Sequence, residues 1–572
     1  MIFKKHYPIF ILAFIIGCFS LFPQLIGAKR LGSSFEGIYK TINDDSIYYL
    51  ARAKDIQDGH PTLTNPYLFE HKHDVPMQFW IPDYLLTKPL LILGIDPVRG
   101  YIAYSFILPF FLALVIYALC LRLTSRRLLA LVAVVLINGG IFLSLFHRIP
   151  SPGFNFFFLL GFIYYFIAFI QERGRTSLIL STVLFASLFY IYPYYWTYAV
   201  VLLGIFIVGE FIYKKSITRE LVKQYSLMFA GAFILIIPYL IEQYKSTKLA
   251  SYRESLRRLG MLQTHFPSGI AIVVTACFLL AIFLYLWKKN IIPHSSLTLF
   301  VGSLILAALV SVNQHIITGK NLEFSSHYWP QSAVFFVLAG LYITKYFVEA
   351  KLNNKYKNPS FVTCITIVLC LAVAHGAPIV IAESRYTKDE IYWQNYAPVF
   401  SWLNTHTEKD SVVYADDILS MLIPVYTSNN IYYGPFANLF FMSDNETEQR
   451  FIVSHYWNNF SKNFITTYER EIWGTHFVND YNHNQSKNAL RKIIGWKPVQ
   501  YARFSDSEIN RVISDAHVIQ KQQFKDVLKK SGYKVDYLVW DKNKDTEWKP
   551  DAMPFLKPVF VSGNVVVYQV TD

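Results

Sequence analysis

"YPIFILAFIIGCFSLFPQLIG", residues 7–27, decides how the rest of the chain is read. The stretch holds no charged residue, and as a helix rising 1.5 Å per residue it is long enough to cross the roughly 30 Å hydrocarbon core of a bilayer. "MIFKKH" precedes it. "AKRLGSSF" follows it and is a poor small-residue cleavage site, so the stretch reads as an uncleaved first span and not as a signal peptide. Working outward, similar apolar windows recur to about residue 383 and then stop. The pattern predicts a polytopic α-helical membrane protein: a membrane domain over 1–383, whose first outer loop is 28–99, and a soluble mixed α/β domain over 384–572. Eleven spans are expected, near 7–27, 100–121, 128–146, 153–171, 176–193, 195–213, 225–243, 269–287, 294–313, 328–345 and 360–383.

Composition agrees. Of 572 residues, 53% are hydrophobic, 17% aromatic and only 16% charged, with a mean hydropathy of +0.30. A soluble chain carries more charge. The five cysteines (Cys18, Cys120, Cys277, Cys364 and Cys370) all lie in apolar windows, which leaves the C-terminal part without disulfides or thiolate zinc ligands.

The net charge of +14 invites a nucleic-acid reading that its distribution removes. Residues 384–572 carry 21 Lys and Arg against 22 Asp and Glu, so the excess sits on short loops between spans. With the N-terminus cytoplasmic, "RLTSRR", "QERGR", "YKKSITRELVK", "WKKN" and "KYFVEAKLNNKYKN", together with Lys4 and Lys5, carry 17 basic residues. The short outer loops "HRIPSP", "YPYYW" and "NQHIITGKNLEFSSH" carry only Arg148 and Lys320. This is the positive-inside bias. An odd number of spans then puts 384–572 outside, with a bacterial cytoplasmic membrane as the expected location. The one basic outer loop, 244–268, holds Arg253, Arg257 and Arg258 and reads as the wet face of an interfacial helix.

In the soluble part, "SVVYA" and "NIYYG" read as strands flanking a crossover helix, "DDILSMLIPVYTS". Helical runs follow near 446–472 and 506–531. "KVDYLVWD" reads as a buried strand and "KPVFVSGNVVVYQV" as a hairpin turning at Ser562-Gly563-Asn564. No phosphate loop, nucleophile elbow or metal-ligand spacing stands out there, and a binding or docking domain is the plainer reading.

The chemistry-bearing stretch is "NDDSIYYLARAKDIQDGHP", residues 43–61. Asn43 or Asp44 can cap a helix that Gly59 and Pro61 end. The two acids, Asp44 and Asp45, therefore suit a helix N-terminus as well as they suit catalysis. The stretch keeps Asp45, Tyr49, Ala53 and Gly59 at spacings of four, four and six, directly after the first span. In this it resembles the first outer loop of GT-C fold glycosyltransferases: the protein O-mannosyltransferases, lipid A aminoarabinose transferases and oligosaccharyltransferase catalytic subunits. The loop's end, "HDVPMQFWIPDYLLTKPLLILGI", is similar in its Pro-and-Trp stretch and its apolar helix closing on Leu-Gly.

The resemblance implies a GT-C fold and hexosyl or pentosyl transfer from a polyprenyl-phosphate-linked sugar to an acceptor outside the membrane. It makes Asp45 the general base, with Asp44 second, and places Tyr49 toward substrate. The partners it implies are the lipid-linked donor, an acceptor of unknown class and membrane lipids, with no nucleic acid and no cofactor. Two departures stand out. The second outer loop, "HRIPSP", lacks the acids of metal-dependent oligosaccharyltransferases, and their Trp-Trp-Asp acceptor motif is missing. A metal-independent reaction is the favoured expectation.

A leaving phosphate needs cations or hydrogen-bond donors. The candidates on outer loops are His147 and Arg148, then Lys320, His327 and Tyr328 after the ninth span, and Lys72 and His73 in the first loop. Arg148 suits a forked contact with phosphate, and equally an interfacial anchor. "YIYPYYWTY", residues 190–198, is an aromatic belt that also suits a sugar face or a prenyl chain. The rival classes are a transporter or flippase of lipid-linked glycans, a surface-polysaccharide polymerase or ligase, and a non-catalytic scaffold.

Overall fold

The computed structural model describes the chain apart from residues 1, 41–43, 78, 143–144, 146, 215–217, 263–264, 322–324, 352–360, 476, 502 and 572. The side chains of residues 2–5, 44, 325–326, 350–351, 361–366, 368–369, 372, 375, 477–480 and 482 also lie outside the description.

The chain is mostly helical, with one small sheet near its C-terminus. Among the described residues, eight helical stretches are long and apolar enough to cross a membrane: His6–Ser34, Pro97–Thr124, Ile149–Glu172, Pro193–Lys214, Arg219–Ser246, Ile270–Lys288, Ser296–Thr318 and Trp329–Glu349. The count by length and composition is therefore eight, not eleven. The other three expected spans are helices too. Arg127–Phe142 and Arg175–Ile191 are shorter, and Phe361–Glu383 has 23 residues, with its side chains only partly described. The bundle core is built from large apolar side chains such as Ile116, Phe162, Phe166, Phe206 and Phe300, each fully buried.

The C-terminal sheet has the order β2-β1-β3-β5-β4. β1 (Val412–Tyr414) pairs in parallel with β2 (Asn430–Ile431) and β3 (Tyr537–Asp541). β4 (Leu556–Ser562) and β5 (Val565–Val570) form an antiparallel hairpin, and β5 joins β3. The expected crossover between β1 and β2 is the Asp417–Tyr426 helix. Asp416 caps it by accepting from the Ile418 and Leu419 amides at 2.7 and 3.0 Å. The hairpin turns at Gly563, whose φ of +57° suits a residue without Cβ.

The two long helical runs are subdivided. Residues 446–472 fall into Asp444–Ser454, Lys462–Thr467 and Glu469–Trp473, because Ser461 caps a fresh helix after the Tyr456–Phe460 turn. Residues 506–531 break at Lys521–Gln523 into Asp506–Gln520 and Phe524–Ser531.

The second apolar core does not respect the boundary near 383. Tyr48, Tyr49, Ala51, Ala53, Tyr67 and Leu68 of the first outer loop are buried in the same cluster as Val413, Leu419, Ile423, Phe440 and Phe451. Polar contacts lock the joint. The Ile431 amide donates to Tyr67 O at 2.9 Å, and Asn65 Nδ2 donates to Ala437 O at 3.3 Å. Arg450 is fully buried and donates to Glu70 and Glu446, each at 2.8 Å, and to Tyr432 O at 3.0 Å. The short Tyr252–Arg258 helix is anchored the same way. Arg258, also buried, donates to Asn438 O, Phe440 O and Met442 O and pairs with Asp444 at 2.9 Å. Arg258 is thus a buried strut, whereas the sequence suggested a wet interfacial face; its neighbours Arg253 and Arg257 are exposed.

His71 sits in the same joint, 2.5 Å from Asp74 and 3.0 Å from Glu446. Burial opposes charge on the imidazole, but the hydrogen bonds and charges of Asp74 and Glu446 outweigh it and hold the pKa up at about 9. The folded chain therefore keeps this proton longer than the unfolded chain does. Its stabilising contribution is complete below about pH 6.5 and is lost as pH rises through about 9. Thermal unfolding of the purified protein is expected to shift to lower temperature across that window, and His71→Gln should flatten the shift. Identical pH slopes for the two proteins would remove His71 from the joint.

Candidate functional site: a two-arginine cavity on the first-loop helix

The first-loop helix, Asp44–Gln57, has two working faces. Ile47, Ala51 and Ala53 are buried, and the helix packs on the Asp417–Tyr426 and Pro97–Thr124 helices. Asp45, Tyr48, Tyr49 and Arg52 follow at i, i+3, i+4 and i+7 and so share one side. All four line a cavity of ≈ 290 Å³. The facing walls come from three other places in the chain: Phe79, Pro82 and Asp83 at the end of the first loop, Arg148 to Asn155 after the third expected span, and Tyr192 and His327.

Two carboxylate–guanidinium pairs stand on these walls, and they differ in burial. Arg52 Nη2 donates to Asp83 Oδ2 at 2.5 Å and to Phe79 O at 2.9 Å, while Nη1 donates to the Tyr48 hydroxyl at 3.0 Å. The side chains are 6% and 0% exposed. Asp83 occupies the first turn of the Ile81–Ile92 helix, where the helix N-terminus favours a negative charge. Burial pushes its pKa up, to about 6, against the pull of Arg52. Asp83 Oδ1 and Arg52 Nε are buried without a protein hydrogen-bond partner.

The second pair is more open. Arg148 Nε lies 3.0 Å from Asp45 Oδ2, within ion-pair distance but not aligned as a hydrogen bond, and the side chains are 20% and 41% exposed. Burial disfavours the Arg148 charge, but Tyr49, Asp45 and Tyr192 outweigh it and hold the guanidinium protonated beyond its ordinary range.

His327 completes the wall. Its Nδ1 is 2.6 Å from the Tyr192 hydroxyl, and its ring stacks on Tyr194 at 4.8 Å. Burial first, and then the Arg148 charge, lower its pKa to about 4, so it is a neutral imidazole at physiological pH. The cavity thus offers one carboxylate, one exchangeable guanidinium, a neutral histidine and aromatic surface. Among the described residues, no three His, Cys, Asp or Glu side chains come together as a metal site.

Of the residues the sequence nominated, Asp45, Tyr49, Arg148 and His327 meet here. The others lie elsewhere. Asp44 opens the helix, and its side chain is outside the description. Tyr328 is buried behind His327, its hydroxyl 2.8 Å from Thr197 Oγ1. His147 faces a separate small cavity of ≈ 50 Å³, 3.7 Å from Glu383. Lys320 lines another cavity of ≈ 420 Å³ with Arg253 and His265, drawn there by a backbone bridge to Leu262. Lys72 is buried and donates to Asp55 at 2.5 Å, which removes it from any ligand, and His73 is exposed on the first loop.

The lining residues not nominated are chiefly Arg52, Asp83 and Tyr192. Arg52 had a readable signal, since it falls on the Asp45 face of the helix. Asp83 had only its place after "FWIP". Neither known protein-family models nor curated proteins give a match to this chain.

A buried pair of this kind is costly to break and inexpensive to replace as a unit. Asp83→Leu alone leaves Arg52 charged in an apolar setting and is expected to destabilise the protein by about 3–5 kcal/mol in thermal or chemical unfolding. The double variant Arg52→Met, Asp83→Leu should recover most of that loss. Additive losses in the double variant would show that the two side chains do not act as a pair.

Proposed function

We propose that this protein is a GT-C type glycosyltransferase that moves a sugar from a polyprenyl-phosphate-linked donor to an acceptor on the outer side of the membrane. The observation that carries the reading is the Asp45–Arg148 contact of 3.0 Å on the wall of a ≈ 290 Å³ cavity that Tyr49, Tyr192 and His327 also line. The resemblance of the first outer loop joins it. The reading takes all eleven apolar helices as spans, with the N-terminus cytoplasmic and residues 384–572 outside, in a bacterial cytoplasmic membrane.

The chemistry follows from the two side chains. A donor whose tail lies in the bilayer presents its phosphate and sugar at the membrane surface. The acceptor hydroxyl attacks the anomeric carbon, its proton passes to the Asp45 carboxylate, and the bond from the anomeric carbon to the phosphate oxygen breaks. Arg148 takes the charge that develops on the leaving phosphate. A half-open ion pair contributes only about 0–1 kcal/mol, so an incoming phosphate can displace Asp45 from Arg148. The carboxylate is then released at the moment a base is required. The neutral His327 and the Tyr192 hydroxyl supply uncharged hydrogen bonds, which suit a sugar better than a second full charge would.

The alternative is a flippase of lipid-linked glycans or a surface-polysaccharide polymerase or ligase. A polymerase or ligase shares the acid–base chemistry, whereas a flippase needs no base. The test is transfer from labelled polyprenyl-phosphate sugars by the purified protein. Asp45→Asn is expected to lower kcat by about 10²–10⁴-fold. Arg148→Ala is expected to lower kcat/KM by about 10²-fold or more. Transfer at the wild-type rate by a folded Asp45→Asn variant would overturn the assignment of the base.

A further inference from the structure

The Phe477–Ile493 helix ends in a feature that the cavity does not use. Leu490, Ile493, Ile494 and Trp496 are all more than half exposed, Ile493 at 81% and Trp496 at 64%. Exposed apolar side chains scattered singly need no explanation, but four within seven residues form a patch that does. The segment is ordered. The helix stops at Gly495, φ +78°, where the Trp496 amide donates to Arg491 O at 2.7 Å in a Schellman-type cap. Asn488 then braces the returning chain through two hydrogen bonds to the Val499 backbone.

Its surroundings indicate what covers it. Lys487, Arg491, Lys492 and Lys497 interleave with the apolar residues, and no acidic residue occurs between 481 and 502. Residues 384–572 otherwise balance 21 basic against 22 acidic residues, so this cluster is a local departure. The base of the projection touches the membrane half: His483 stacks on Phe266 at 3.5 Å, and Lys487 lies 5.9 Å from the same ring. Phe266 stands four residues before Ile270, the exposed apolar first residue of a helix fit to cross a membrane. The patch is therefore continuous with a lipid-facing helix end. A tryptophan, branched aliphatics and lysines together are the residue set of interfacial anchors.

We infer that residues 487–499 are a membrane-surface anchor of the C-terminal domain, with Leu490, Ile493, Ile494 and Trp496 seated in the outer leaflet and the flanking lysines and arginine against anionic lipid headgroups. The inference requires only that the apolar helices lie in a bilayer; it does not depend on the transferase reading.

The test uses the full chain in nanodiscs of phosphatidylglycerol and phosphatidylcholine. A small fluorophore is placed on Ile493→Cys, on Trp496→Cys, or on the exposed control Lys525→Cys, each in a background with the native cysteines replaced by serine. Lipids carrying a shallow doxyl quencher are expected to quench the labels at 493 and 496 several-fold more than the label at 525, while aqueous iodide quenches the label at 525 more. Strong iodide quenching at 493 and 496, matching the control, would overturn the anchor. Protection from both quenchers would overturn it too, and would assign the patch to a protein partner or a second copy.

Discussion

A carboxylate can be aimed only as well as its helix is held. In an α-helix each residue advances the side-chain direction by about 100°, so a small rotation of the first-loop helix would carry Asp45 away from Arg148. The buried face prevents that rotation. Ala51 and Ala53 are fully buried, and such small residues permit an approach close enough that any turn of the helix would meet the neighbouring side chains. The core they enter belongs largely to the C-terminal domain. The outer domain thus has a physical task, whatever else it binds: it clamps the loop that carries the carboxylate. Tyr67 at the edge of β2 and the buried Arg450–Glu70 pair extend the same clamp along the loop.

The two arginines of the cavity show how burial separates structure from function. Arg52 and Asp83 are almost wholly removed from water. Separating them would strand a charge in a low-dielectric setting, so they behave as one rigid unit that joins the two ends of the first loop. Asp45 and Arg148 are the same chemical pair held in partial contact with solvent. Water competes for both partners, their mutual attraction is small, and exchange with another anion is inexpensive. A site that must take up a phosphate and later release it needs the second kind of pair. A scaffold that must not move needs the first. The cavity contains one of each, about two helical turns apart on a single helix.

The parts legible in the sequence were those governed by local pattern. Apolar windows located the membrane helices, though length alone leaves Arg127–Phe142 and Arg175–Ile191 short of a full span. Period-two apolar strands, the Asp416 cap and the Gly563 turn gave the sheet elements in their right places. At the site, Asp45 and Tyr49 were legible from helical spacing, and Arg148 and His327 from being polar at the ends of apolar runs. What could not be read was pairing over distance. Nothing near Lys72 in the chain announces that Asp55 will bury it, and nothing near Arg258 announces three carbonyls some 180 residues away. Nor does local pattern show that an outer loop and a domain more than 300 residues later share one core.

The distribution of buried charge bears on the choice between chemistry at a surface and passage through the bilayer. Glu210 is fully buried near the end of the Pro193–Lys214 helix. It accepts from Arg173 at 2.5 Å, Ser296 at 2.9 Å, Lys214 at 3.1 Å and the Tyr225 hydroxyl. Those donors come from four helices or their ends, so the cluster ties that end of the bundle together. The positive-inside bias assigns it to the cytoplasmic side, opposite the Asp45 cavity. A transporter that alternates access must let its helices rock, and rocking at this end would part a buried carboxylate from its cations at about 3–5 kcal/mol. Transporters also tend to place their working charges near the midplane, on broken helices. Here one end is clasped by a saturated ionic cluster, while the other carries the half-open pair and the cavity. That asymmetry favours a protein that holds its helices still and works at one face of the membrane.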